Sequence, residues 1–356
     1  MTALVSTPER RLLLLVLLTR LIPAALIWGS DDVTNWQTWG RVVVEGGNPY
    51  HTQFFLNWPP LWLPFAAWAY LVSLTMHLPF NLVVKLIPIS ADVVIAFLLY
   101  GVDRRAGFAY AWNPVAIYVT AVHGQFDSIP ALFATMTIVL GRSAAWLGVG
   151  GAFKTWPMFV LPAAVHRLRD AAVPVAIFAA ALLLPVPFVG WTALTGFLHY
   201  RGMGGFWVPS TPAIFYAAMA AAALFVWIVK PPPARGALLL LLTFYVTAPG
   251  FGVQYLIWIV PIALVVDPRN GLAYSILAGV VLAWEALARP YTGHIGETVR
   301  AVQHAGYARA YAGPVDWRYT MAGRLVLWAF FCYWWVVTIA RASREGRRGP
   351  SYTKPV

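Results

Sequence analysis

Asp31 and Asp32 stand side by side just past the first apolar stretch, and Trp36 and Trp39 follow within the run GSDDVTNWQTWG. An unpaired carboxylate is costly in hydrocarbon, so chemistry explains this pair better than packing does. A helix opened by Asp32 carries Trp36 and Trp39 one and two turns on, along its own face. Acid beside flat aromatic surface suits a sugar hydroxyl better than a metal alone. Two abutting carboxylates also repel each other, which favours a shared proton and hence a base. The ordinary alternative is a helix cap, a position that aspartate fills well.

Other costly polar residues are scattered along the chain. His123-Gly124-Gln125-Phe126-Asp127 alternates imidazole, amide and carboxylate on a tight turn between apolar limbs. Its ordinary alternative is a turn that satisfies its own backbone groups. Lys154, heading Lys154-Thr155-Trp156-Pro157, offers a point charge to a phosphate or simply snorkels to an interface. Lys85 and Asp92 share one face of an apolar helix, as a structural pair or with partners on other helices. Gln254-Tyr255, after Pro249-Gly250-Phe251-Gly252, caps a substrate or joins an aromatic belt. His294 and Arg300 complete the set. They lie in a segment whose Arg289, Arg300, Arg309, Arg318 and Arg324 suit lipid phosphates. No P-loop, nucleophile elbow, HExxH or dinucleotide fingerprint is present.

The elements that must position these residues are membrane helices. A chain 60% hydrophobic and only 11% charged describes an all-α polytopic membrane protein. Its 18 Trp and 27 Pro fit interfacial belts and broken helices. The net charge of +12 is mostly arginine at helix ends, which points to anionic lipids and away from nucleic acid. Cys332 is the only cysteine, so no disulfide and no thiolate metal site is expected. Arg20, Pro23 and the lack of a small-residue cleavage site predict a retained first helix rather than a signal peptide.

Lys and Arg positions predict both termini cytoplasmic and about twelve crossings in one domain, 1–356, with a cytoplasmic tail at about 341–356. The first extracytoplasmic loop spans about 30–80. Within it 58–78 is read as interfacial, because Asp103-Arg104-Arg105 then reaches the cytoplasm after one crossing, 81–102. Limbs 107–121, 129–141, 144–153 and 158–166 are shorter than the ~20 residues a lone spanning helix needs. They must pack among neighbours or line a wet cavity. Under this threading Asp31-Asp32, His123-Gln125-Asp127, Lys154, Gln254-Tyr255 and His294 with Arg300 converge on one membrane face.

These features together resemble the integral-membrane GT-C glycosyltransferases, most closely the polyprenyl-phosphate-sugar-dependent mannosyl- and glucosyltransferases. The resemblance is carried by Asp32-x3-Trp36-x2-Trp39, Gly46-Gly47-Asn48-Pro49-Tyr50 and Asn57-Trp58-Pro59-Pro60, which are similar to that family's first-loop acid, aromatic and N-[YW]-P-P pattern. Trp112-Asn113-Pro114 with His123-Gly124-Gln125-Phe126-Asp127-Ser128 resembles its N-P…G-Q-x-D turn. Gln254-Tyr255-Leu256-x-Trp258-x2-Pro261 resembles its Q-Y-L-x-W-x-x-P element. The likeness covers most of residues 10–265 and none of the last outer segment, 289–322.

The resemblance implies a GT-C-like bundle that transfers one sugar, mannose first, with inversion. The donor would be polyprenyl-phosphate-linked and the acceptor a lipid, glycan or protein. The site would open on the extracytoplasmic face of a bacterial or archaeal plasma membrane. Asp32 maps on the family's base, with Asp31 beside it. Lys154, Lys85 and Arg300 would face the donor phosphate. Trp36, Trp39 and Trp58 would stack on sugar or prenyl chain. Tyr50, Asn57, His123, Gln125, Asp127, Gln254, Tyr255 and His294 would bind sugar or acceptor. No cofactor is expected, and a divalent metal on the two acids is compatible but not required. The rival reading is a transporter or lipid-linked-sugar flippase lined by the same polar groups. A non-catalytic, lipid-binding assembly subunit is a third.

Overall fold

Leu12, Val16, Arg20 and Ala24 recur every four residues along α1 (Thr7–Leu26) and form its buried face. The computed structural model describes residues 7–51, 56, 58–191, 194, 211–250, 252–288 and 317–347; among them the chain is helix and turn, without a strand. Ser30 leads into α2 (Asp31–Val44), whose first turn holds both acids, where the helix dipole favours negative charge. Val33, Trp36, Trp39 and Gly40 form its buried face against α3 (Trp62–Met76). Gly40 is what lets the two helices close up. A Cβ there would stand 2.5 Å from the Ala66 carbonyl oxygen.

The long helix α4 (Phe80–Val102) is followed by α5 (Arg104–Ala111), capped by Asp103, whose carboxylate accepts from the Arg105 N–H at 2.9 Å. Asn113 then caps α6 (Pro114–His123) by accepting from Val115 and Ala116 N–H groups, with Pro114 in the first helical position. Its amide also donates to Ser275 Oγ at 2.7 Å. The N-P motif therefore works as a cap and a cross-tie. Over Ile117–His123 this helix widens to π geometry and stops at Gly124, φ 85°.

The remaining elements are α7 (Ser128–Ile138), α8 (Ala145–Phe153), α9 (Leu161–Ala164), α10 (Ala172–Leu183), α11 (Val186–Val189), α12 (Pro212–Val229), α13 (Pro233–Thr247), α14 (Val260–Val266), α15 (Pro268–Ala288) and α16 (Trp317–Arg347). Helix α13 is buried on every side from Arg235 to Tyr245 and forms the centre of the larger core. A second core joins α2, α3 and α4 through Trp36, Trp62, Val84 and Phe126.

Away from the candidate site, Arg20 and Asp92 form a wholly buried ion pair, Nε to Oδ2 at 3.0 Å. Tyr110 donates to Asp92 Oδ1 at 2.6 Å, and Arg20 also donates to the carbonyls of Tyr110 and Ala111. The guanidinium thus adds a donor to carbonyls at the end of α5 that also accept from the Asn113 N–H and the Thr19 hydroxyl. Of the alternatives for the Lys85/Asp92 face, partners on other helices are what the fold supplies.

The expectation of about twelve crossings is corrected by helix length. Among the described residues four helices are long and apolar enough to cross a membrane: Phe80–Val102, Leu168–Val189, Pro212–Val229 and Ala322–Gly346. Most of the others fall short because Pro, Gly or Asn interrupts them, as between α5 and α6. Helix α1 has the length but carries Glu9, Arg10, Arg11 and Arg20. Segment 58–78 yields the 15 residues of α3, about 23 Å at 1.5 Å per residue and so less than a hydrocarbon core.

Long-range bonds sort the turns into two ends. At one, Ser30 meets His123, Asn48 donates to the Val189 carbonyl at 2.8 Å, and Asp127 meets Lys154 and Trp258. At the other, Arg235 pairs with Glu345 at 3.3 Å and Arg341 with Asp267 at 2.6 Å.

Candidate functional site

The site begins where two turns far apart in sequence touch. The Ser30 N–H donates to the His123 carbonyl at 2.9 Å, and Gln125 Nε2 donates to Asp32 Oδ2. Glycine makes that approach feasible. Gly29 (φ 121°) and Gly124 (φ 85°) both hold left-handed backbone, and a Cβ on either would come within 2.7 Å of the Val33 side chain. Gln125 Oε1 is buried and makes no hydrogen bond, which leaves a bare acceptor beside the Asp32 carboxylate.

Two residues on, Asp127 is wholly buried at the turn before α7 and accepts from Lys154 Nζ at 2.5 Å and Trp258 Nε1 at 2.6 Å. Burial raises its pKa above the usual carboxylate range, against the opposing pull of the Lys154 cation and the Trp258 N–H. Trp258 is held by a face-to-face stack on Trp156, centroids 5.0 Å apart, and Lys154 lies over the rings of Phe126 at 5.0 Å and Tyr255 at 5.9 Å. Phe126, between Gln125 and Asp127, stacks on Trp62 at 4.4 Å. One short turn therefore carries an amide for Asp32, an aromatic anchor and a counter-ion for Lys154.

No family model, curated protein or solved structure matches the chain.

The chemistry must then be read from geometry. Asp32, Gln125, Asp127, Lys154 and Tyr255 come together, and His123 joins them through its carbonyl, its ring lying 6.1 Å from that of Tyr118. Gln254 and Tyr255 form a half-buried turn, pinned where Tyr245 donates to the Tyr255 carbonyl at 2.5 Å. Tyr50 donates to the Trp58 carbonyl at 3.4 Å, and burial pushes its phenol pKa up. Asn57, His294, Arg300 and the side chain of Asp31 lie outside the described residues.

Two expectations are corrected. Trp36, Trp39 and Trp58 do not offer open faces to a sugar or prenyl chain. They are buried, with edges turned on one another at 5.4–6.1 Å and on Phe126, and they belong to the core that joins α2, α3 and α4. Lys85 does not face the site as a free cation either. It is wholly buried and bonded to two backbone carbonyls.

Sequence reasoning missed Trp258, Trp156, Phe126 and Ser30. Trp258 stood inside the Q-Y-L-x-W element, but its indole N–H was not weighed as a donor. Among the described residues no three His, Cys, Asp or Glu side chains converge as metal ligands. The arrangement can receive a proton at Asp32 and place a cation at Lys154.

Proposed function

We propose that the chain is an integral-membrane glycosyltransferase of the GT-C kind. It moves one sugar, mannose first among the candidates, from a polyprenyl-phosphate donor to a lipid, glycan or protein acceptor. The bond from Gln125 to Asp32 carries the reading. It joins the acid of the first loop to the later polar turn, and the Asp127–Lys154 pair lies two residues further along.

In this mechanism Asp32 takes the proton of an acceptor hydroxyl while that oxygen attacks the anomeric carbon from the face opposite the phosphate. The bond from anomeric carbon to phosphate oxygen breaks, and its electron pair leaves with the lipid phosphate. General-base assistance of this kind is worth about 10²–10⁴-fold. Lys154 steadies the leaving charge. An ammonium has three N–H donors, of which the Asp127 bond uses one, and Asp127 and Trp258 fix where it points.

Outward apolar side chains on the long helices, among them Leu184, Phe188, Ile214, Leu224 and Ile228, support a bilayer as the surroundings. The site faces the extracytoplasmic side and the arginine-rich end the cytoplasm, so both termini are cytoplasmic.

The test is Asp32→Asn in purified protein supplied with a polyprenyl-phosphate sugar and a lipid acceptor. Turnover should fall at least about 10²-fold. Wild-type turnover ends the assignment of Asp32 as base. Counterflow of the lipid-linked sugar in proteoliposomes, with no product, replaces the transferase by the transporter reading.

A further inference from the structure

Lys85 is wholly buried on α4, and its Nζ donates to the Ile27 carbonyl at 2.6 Å and the Ala121 carbonyl at 2.9 Å. The first acceptor is at the exit of α1 and the second is in the π turn of α6. One turn earlier on α4, Asn81 Nδ2 donates to the Ala24 and Ile27 carbonyls at 3.3 and 3.2 Å. Terminal helix carbonyls are partly negative and lack helical donors, so a cation shared between two of them is stably placed. The turn is closed down onto the lysine stem. A Cβ at Gly124 would stand 2.9 Å from Lys85 Cε.

The stretch from Gly29 to Asp32 starts just beyond Ile27, and the turn 123–127 just beyond Ala121. We infer that Lys85 is a positioning residue. It clasps the ends of α1 and α6, fixes the separation of the two turns and so holds Asp32 against Gln125, and it is not a ligand of the donor phosphate. The kinetic consequence depends on the transferase reading, whereas the clasp itself does not.

The experiment uses full-length protein in nanodiscs. In Lys85→Met, kcat should fall about 10²-fold, as a small misplacement of a reacting group does. KM for the polyprenyl-phosphate sugar and Kd for polyprenyl phosphate alone should stay unchanged. Lys85→Arg, which keeps donors for both carbonyls, should recover most of kcat. Lys85→Gln, which keeps an uncharged donor for only one of the two carbonyls, should also lower kcat with KM unchanged, and it decides the matter if Lys85→Met does not fold. A rise in KM and Kd with kcat kept would make Lys85 a phosphate ligand and overturn the inference. So would an unaltered kcat in folded Lys85→Met or Lys85→Gln.

A second readout needs no turnover. In a Cys332→Ser background, Ser30→Cys and His123→Cys stand where the two backbones are bonded at 2.9 Å. Oxidation should link them readily with Lys85 present and about tenfold more slowly once Lys85→Met is added. Equal rates would overturn the clasp. If the cysteine pair links as expected but the protein with Ser30, His123 and Lys85 all native transfers no sugar, the transferase reading alone is sunk.

Discussion

Replacing Arg20 with methionine removes the guanidinium from a pair whose two side chains are both at 0% exposure. The Asp92 carboxylate then keeps the bond from the Tyr110 hydroxyl but loses its cation. A buried charge stripped of its partner costs about 3–5 kcal/mol. Asp92→Leu leaves the guanidinium among carbonyls and should cost a similar amount. The double variant buries no charge and leaves the Tyr110 and Ala111 carbonyls the Asn113 N–H and the Thr19 hydroxyl, so its cost reduces to the orphaned Tyr110 hydroxyl, about 1–3 kcal/mol. The two sites should therefore be coupled by about 3 kcal/mol or more. Equilibrium unfolding of the four proteins in micelles measures this cycle. Single variants that cost under about 1 kcal/mol, or additive effects, would refute the reasoning. The cycle also bears on function. A structural pair predicts near-normal sugar transfer by the folded double variant, whereas a transport path through Asp92 predicts its loss.

Trp258→Phe preserves the stack on Trp156 but removes the donor to Asp127, so it should cost about 1.5–3 kcal/mol in unfolding experiments and lower turnover. Gly40→Ala forces a methyl against the Ala66 carbonyl and should cost about 1–3 kcal/mol, read in the same way. At the opposite end, burial raises the Asp267 pKa, but bonds from Asn270, Arg341 and Trp334 outweigh it and hold the group below the usual carboxylate range. Asp267 therefore adds stability above the unfolded pKa of about 3.9, and that contribution is lost as pH falls below it through the lower folded value. Arg341→Met should flatten that acid limb in unfolding measurements against pH.

Much of the scaffold could be read before any coordinates. A helix long and apolar enough for the crossing expected at 81–102 runs Phe80–Val102, and the helix expected to open at the acids runs Asp31–Val44. The short limbs fall at Ser128–Ile138 and Ala145–Phe153 because glycine, proline and charge mark their ends. The crossing count failed because Arg and Lys report which side a turn lies on, not whether a limb is long enough to span. The tryptophans of α2 misled for a related reason. Their spacing defines a face but does not say that Trp58, Trp62 and Phe126 cover it. Lys85 was legible as a cation on the Asp92 face of an apolar helix and was assigned to the donor phosphate, because its acceptors, two main-chain oxygens, leave no mark on side-chain identity.

The widened coil at Ile117–His123 has a consequence for how this protein tolerates length changes. An ordinary helix advances about 100° per residue, so deleting one residue there would restore regular winding and swing Gln125 and Asp127 about a quarter-turn round the axis. Both would lose their partners on α2, α8 and the Trp258 turn at once, though no side chain had been altered. The phase of this single segment, more than the identity of any residue in it, keys the amino-terminal half of the chain to the carboxy-terminal half.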